Sequence, residues 1–400
     1  MTNSKVFGST LIIAGTTIGA GMLALPLVSS GLGFGVASLV MIAIWALMIY
    51  TALLMIEVHQ FAPKEATLYT LAYNLLGKKG QVIATGAMVF LFYSLCAAYI
   101  AGGGEQLNTR LAMWFGSSIP IQSGAIIFTL VIATVVSIST RSVDIINRSL
   151  FVLKLITLAI MLTLLFPNTS MQNLVELPIH QGLIISALPV VFTSFGFHGS
   201  IPSIVKYVGT DTKTLRRIFI AGSALPLFIY LLWQIASQGV MPQAQLMQSN
   251  GLSSFIASLS NLLHNSKITS AVSIFADLAL TTSFLGVSLG LFDFVADMLN
   301  KYSTKKQKLP TALVTFLPPL CFAIFYPQGF IMALGYAAFA LVILALFLPA
   351  AMVHKQRKER LNEGYRVKGG NVGLVVVTLC GVLIMSVQVL QMLHIMPSVG

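Results

Sequence analysis

Charged side chains are scarce in this chain: Asp, Glu, Lys and Arg together make up 8% of its 400 residues. A soluble domain carries roughly 25%, because a water-facing surface needs them. So small a share excludes an ordinary water-exposed globule and leaves lipid as the partner of most of the surface. Acidic residues are the scarcer sign, 11 against 23 basic ones. A basic excess suits nucleic acid when it forms a patch on a soluble domain. Here the basic residues sit in short loops between apolar runs, so nucleic acid is not an expected partner.

Cysteine is equally sparse. Cys96, Cys321 and Cys380 all lie inside apolar stretches without CxxC spacing, so nothing points to a disulfide framework or a metal site. HExxH, GxSxG and the phosphate-cradling GxxxxGK[ST] are absent, so no enzyme chemistry, metal or cofactor is expected. Charge rings and filter-like repeats of a channel are also missing. Residues 1–5 run straight into a long apolar segment with no small-residue cleavage pattern, so this segment reads as an uncleaved first span.

What the chain does have is hydrophobicity, 56% of its residues, in runs long enough to cross a bilayer. About 20 apolar residues are needed for one crossing. Eleven runs qualify: about 6–28, 35–57, 82–104, 123–139, 146–167, 182–205, 215–239, 268–296, 309–326, 328–353 and 371–394. With the N-terminus cytoplasmic, 21 of the 23 basic residues fall on inside segments and only Arg110 and Lys267 outside. Such asymmetry follows the positive-inside rule and places the C-terminus outside. No stretch between runs is long enough for a separate domain, so residues 1–400 form one membrane domain. The reading is an all-α polytopic membrane protein.

Two runs are interrupted by small and polar residues. The first reads Gly15-Thr16-Thr17-Ile18-Gly19-Ala20-Gly21, followed by Pro26, and the sixth reads Thr193-Ser194-Phe195-Gly196-Phe197-His198-Gly199-Ser200, followed by Pro202. Glycine weakens a helix by about 1 kcal/mol relative to alanine. Unwound backbone at membrane depth is tolerated only where it lines a cavity. One interruption opens the first five runs and the other opens the next five. Five being odd, the two halves are inverted relative to each other, about 6–167 and 182–353, with an extra helix at about 371–394. Broken helices at matching places in inverted halves point to a secondary transporter's binding site. Helix N-termini suit a carboxylate and freed carbonyls an ammonium, so a zwitterionic amino acid is the natural ligand. Small residues also serve plain helix packing, and a twelve-span rocker is the competing architecture.

At these residues the chain resembles the bacterial aromatic amino acid permeases. GTTIGAGMLALPL (15–27), FTSFGFHGSIPSIV (192–205), FADLALTTSFLGVSLGLFD (275–293) and GYRVKGG (364–370) carry the resemblance. It runs from the first span to the C-terminus and is greatest to the tyrosine-specific members. It implies a leucine-transporter-type fold, the bacterial cytoplasmic membrane, and uptake of tyrosine with protons by alternating access. Tryptophan or another neutral amino acid, and sodium coupling, remain open.

The expected substrate-binding residues are Thr16, Thr17, Gly19, Ala20, Gly21, Thr193, Ser194, Phe195, Phe197, His198 and Ser283. Phe195 and Phe197 offer rings to an aromatic substrate, and His198 a partner for a phenolic hydroxyl. Lys154, flanked by apolar residues, is the first expected proton-coupling group. The resemblance adds that proton-coupled relatives in the superfamily use a fifth-span lysine where sodium-coupled ones hold a cation. Asp277, roughly 14 Å into the eighth span, is the second. Glu105, at the outer end of the third, reads as a gating or interfacial residue.

Overall fold

The computed structural model describes residues 3–116, 119–138, 140–177, 183–249, 251–300, 308–360 and 364–396. Every regular element among them is helical, as lipid requires of a chain whose backbone must satisfy itself. The first half holds α1 (Asn3–Thr17), α2 (Gly21–Val28), α3 (Gly33–His59), α4 (Leu68–Phe115), α5 (Ser123–Ile138), α6 (Thr140–Leu165) and the short α7 (Met171–Leu174). Next come α8 (Leu183–Ser186), α9 (Leu188–Ser194), α10 (Ile201–Val208), α11 (Thr212–Val240), α12 (Gln243–Met247) and α13 (Leu252–Leu263). The chain ends with α14 (Ser266–Asn300), α15 (Lys308–Phe325), α16 (Phe330–Val342), α17 (Leu348–Glu359) and α18 (Gly370–Met392).

Among the described residues, nine helical stretches are long and apolar enough to cross a membrane. The α1–α2 pair, bent by 51°, is a tenth if counted as one span. The expected fourth span, α5, has only 16 residues, so helix length alone does not yield eleven. The protein is therefore a polytopic membrane protein with about this many spans. The tight turn expected near 326–329 is present, where Gly329 N–H donates to Tyr326 O at 2.9 Å between α15 and α16. Residues 139 and 182 of the expected spans lie outside the described residues. So do Lys301, Lys305 and Lys306 of the charge count, and the side chain of Arg141.

Both expected interruptions break helical geometry, for local reasons. Thr16 and Thr17 turn their hydroxyls onto the carbonyls of Ile12 and Ile13, each at 2.8 Å. α1 ends there, and Gly19 N–H closes a tight turn onto Thr17 O at 2.8 Å. In the sixth run α9 ends at Ser194, and Phe195 (φ −96°, ψ 15°) and Phe197 (φ −128°, ψ 0°) depart from the helix. A 3-10 turn, His198–Ser200, follows before α10, which carries Pro202 in its first turn, where the missing N–H costs nothing.

α1 packs on α11, which also packs on α3; α14 packs on α6, and α4 on α16 and α5. The Phe330–Glu359 stretch is the most buried of the candidate spans, while α15 and α18 turn much of their apolar surface outward. Between α16 and α17 the helix widens into a π-turn, Ile343–Phe347, a device common beside functional sites.

Candidate transport site

The two broken segments lie against each other. A Cβ on Gly21 would sit 3.2 Å from the Ser194 Cα, so glycine is what lets α2 and α9 approach this closely. Ser194 Oγ stands 3.1 Å from Gly21 O and 2.9 Å from Val190 O, able to donate to either. Tyr230 of α11 joins the pair, its hydroxyl 2.6 Å from Thr17 O and 2.8 Å from Ser194 O. Trp233, one turn on, donates its indole N–H to Met22 O at 3.1 Å. Unwound carbonyls in a low-dielectric interior need such donors, since a buried unpaired polar group costs about 1–3 kcal/mol.

Beside the breaks is a cavity of about 630 Å³, within the usual size range of small-molecule sites. Thr16, Phe197, His198, Ser200, Thr282 and Ser283 line it at the breaks and on α14. Tyr99 and Phe92 of α4, Phe151 and Lys154 of α6, and Leu341 and Leu344 around the π-turn complete its walls. Asn147 and the exposed Arg148 also lie on its lining. Polar groups are thus concentrated at the breaks, while aromatic and aliphatic side chains form the remaining walls.

Lys154 is 2% exposed, and its ammonium donates to Ile18 O at 2.8 Å and to Thr282 Oγ1 at 3.2 Å. It also lies 4.9 Å from the centre of the Phe151 ring. One cation thereby ties α6 to the unwound part of the first span and to α14. The second tie is Ser283, whose Oγ accepts from Ala20 N–H at 3.0 Å. His198 Nε2 is 2.9 Å from Thr51 Oγ1, and its Nδ1 is buried without a partner among the described residues.

The expected site residues divide into two groups. Thr16, Phe197, His198, Ser283 and Lys154 line the cavity. Thr17, Gly19, Ala20, Gly21, Thr193, Ser194 and Phe195 do not; they build the breaks that shape it. Thr193 donates its hydroxyl to Pro189 O or Leu334 O, both at 3.0 Å, and Phe195 packs edge-on against Tyr230 at 5.1 Å. Asp277 is away from the cavity, in an ion pair with Arg110. Glu105 accepts the Ser253 backbone N–H at 3.1 Å, at the start of α13.

Tyr230, Trp233, Phe151 and Tyr99 were not singled out by the sequence, and Ser200 entered only as part of the sixth run's interruption. A tyrosine and a tryptophan three residues apart on one helix were the available signal, since both seek a polar partner when buried.

The profile of the tryptophan/tyrosine permease family matches residues 2–388. The chain belongs to the tryptophan/tyrosine permease family. Tyrosine-specific transport system 1 of Haemophilus influenzae is 43% identical over 389 residues, 96% of each chain. Tyrosine-specific transport system 2 of the same organism is 39% identical over 405 residues, the whole of both chains. A tryptophan-specific transport protein of Pseudomonas aeruginosa is 33% identical over 98% of this chain and 96% of its own. Membership makes the protein a transport permease and not an enzyme, and agrees with the multi-pass helical architecture.

Proposed function

We propose that this permease imports tyrosine across the bacterial cytoplasmic membrane with protons, by alternating access around the cavity at the two helix breaks. The supporting observation is a largely apolar, aromatic-walled cavity whose polar groups converge on unwound backbone. In the proposed pose the amino acid backbone of the substrate lies at the breaks beside Thr16 and Ser283. The ring lies among Phe197, Tyr99 and Phe151, with His198 nearby for the phenol. Tyrosine is preferred to tryptophan because relatives at 43% and 39% identity carry tyrosine in their names, against 33% for a tryptophan-specific one.

Lys154 is the proposed coupling group. Protonated, it holds Ile18 O and Thr282 together; losing its proton removes positive charge and one donor from that junction and loosens the first span's unwound segment. Asp277, tied up by Arg110, is the weaker candidate. The architecture that goes with this reading has eleven spans, a five-plus-five inverted repeat (about 6–167 and 182–353) and an extra helix, with the N-terminus cytoplasmic and the C-terminus periplasmic. With that orientation Asn147 and Arg148, on the cavity's lining, lie toward the cytoplasm, and the proposed state is the inward-facing one.

Purified protein in liposomes, given separate proton and sodium gradients, tests the reading. Labelled tyrosine should accumulate with the proton gradient and be displaced by unlabelled tyrosine more effectively than by tryptophan or phenylalanine. Accumulation that follows sodium alone removes proton coupling, and failure of tyrosine to compete removes the substrate.

A further inference from the structure

A second pocket, about 390 Å³, shares no lining residue with the transport cavity and lies where α17 ends and α18 begins. His354, Arg357, Lys358 and Arg366 line it, with Val367, Gly370 and Asn371. No carboxylate lines it among the described residues. Arg357 is neutralised by Glu57, at 2.7 and 2.8 Å. Lys358 and Arg366 are exposed and have no carboxylate partner among the described residues; Arg366 donates only to Arg360 O, at 2.7 Å. The pocket also meets the first turn of α18, whose N-cap Gly369 supplies no side-chain acceptor. Its free N–H groups add a fractional positive charge.

Asn371 stands directly above an apolar stripe. On a helix, positions four apart share a face, so Asn371, Val375 and Leu379 line up, continued by Val382 and Leu383. These four apolar side chains are 48–62% exposed. Positive charge at one end and a bare hydrocarbon track leading away from it suit an amphiphile, not a soluble anion.

We infer that this pocket binds the phosphate of an anionic phospholipid, with one acyl chain lying along the Val375–Leu383 face of α18. Arg357, held from behind by Glu57, forms part of the pocket wall, and Lys358 and Arg366 meet the phosphate. Bound there, the lipid bridges α17, the 364–369 loop and α18. The inference is independent of the transport mechanism; only the choice of the inner leaflet follows from the proposed orientation.

Native mass spectrometry of the full-length protein in neutral detergent provides the test, with dioleoyl phosphatidylglycerol, dioleoyl phosphatidylcholine and glycerol 3-phosphate as probes. Phosphatidylglycerol should be retained in preference to phosphatidylcholine. Lys358→Gln with Arg366→Gln should weaken its retention at least about tenfold. Arg366→Lys should preserve it, and Lys355→Gln, whose lysine pairs with Glu359 outside the pocket, should leave it unchanged. Equal loss in Lys355→Gln would mean diffuse surface attraction and overturn the site. Displacement by glycerol 3-phosphate at matched concentration would make the ligand a soluble anion, also against the inference. Should the double variant fold poorly, as judged by its melting temperature, Arg366→Gln alone decides: it should lose retention that Arg366→Lys and Lys355→Gln keep, and retention equal in all three overturns the site.

Discussion

At the scale of single residues, the contact between Gly19 and Ser283 is the most restrictive in the transport site. A Cβ on Gly19 would lie 2.8 Å from Ser283 Oγ but 3.9 Å from Ser283 Cβ. Gly19→Ala should therefore clash, whereas Gly19→Ala combined with Ser283→Ala should be no worse than Ser283→Ala alone. Ser283→Ala carries its own cost, about 1–3 kcal/mol, from the unpaired Ala20 N–H. Such non-additivity is expected of touching side chains. Thermal unfolding of the three variants measures it, and simple additivity would refute the contact. Lys154→Ala should abolish proton-driven accumulation of tyrosine while sparing exchange of labelled for unlabelled substrate. Full accumulation by that variant would remove Lys154 from the coupling mechanism.

At the scale of elements, the 364–370 loop acts as a strap between α3 and α18. Glu57, 1% exposed at the end of α3, receives Arg357 and the Val367 N–H, the latter at 2.9 Å. Gln60 donates to Tyr365 O at 2.8 Å and accepts from Tyr365 N–H at 2.7 Å. Tyr50 adds a bond to Lys368 O at 3.0 Å. Removing one member of a buried ion pair strands the other, at about 3–5 kcal/mol. Glu57→Ala should lower the melting temperature sharply, and Glu57→Gln with Arg357→Met should recover part of the loss. Equal destabilisation by the single and the double change would show that the pair does not hold the strap.

α11 offers a milder, pH-dependent case at the same scale. Asp211 caps it, accepting the Thr214 hydroxyl at 2.5 Å and its N–H at 3.1 Å, and these bonds hold the carboxyl below its ordinary 3.8. The lowered value means the cap's extra contribution is present above pH 3.8 and fades as pH falls through the folded value. Asp211→Ala should cost about 1 kcal/mol at neutral pH and progressively less in acid. Asp211 is almost fully solvated, so the effect is confined to this helix end. A pH-independent cost would contradict the cap.

At the scale of the whole molecule, a carrier working by alternating access opens its cavity to one side at a time, and in the proposed reading the present state opens on the side of Arg148, which lines the cavity. In a variant without Cys96, Cys321 and Cys380, Ser200→Cys should react with an impermeant maleimide from the cytoplasmic side, and tyrosine should protect it. Reaction only from the periplasmic side would invert the proposed orientation. The opposite end carries its own ties, Glu105 of α4 to the start of α13 and Gln234 and Gln238 donating to Ser29 Oγ at 2.6 and 3.1 Å, which in the proposed cycle loosen as the other state forms.

Membrane residence, helical class and the positions of the two breaks follow from composition and local chemistry. Glycine, serine and threonine weaken a helix wherever it packs, and the shortage of charge needs no fold to interpret. That is why Thr16, Phe197, His198, Ser283 and Lys154 were legible before any coordinates. Tyr230, Tyr99, the Asp277–Arg110 pair and the Glu57–Arg357 strap were not, because each depends on which faces of distant helices meet. Asp277 looked like a proton carrier by depth alone, and only the arrangement of α4 against α14 brings Arg110 to it. Periodicity places a residue along a helix; packing decides its neighbours.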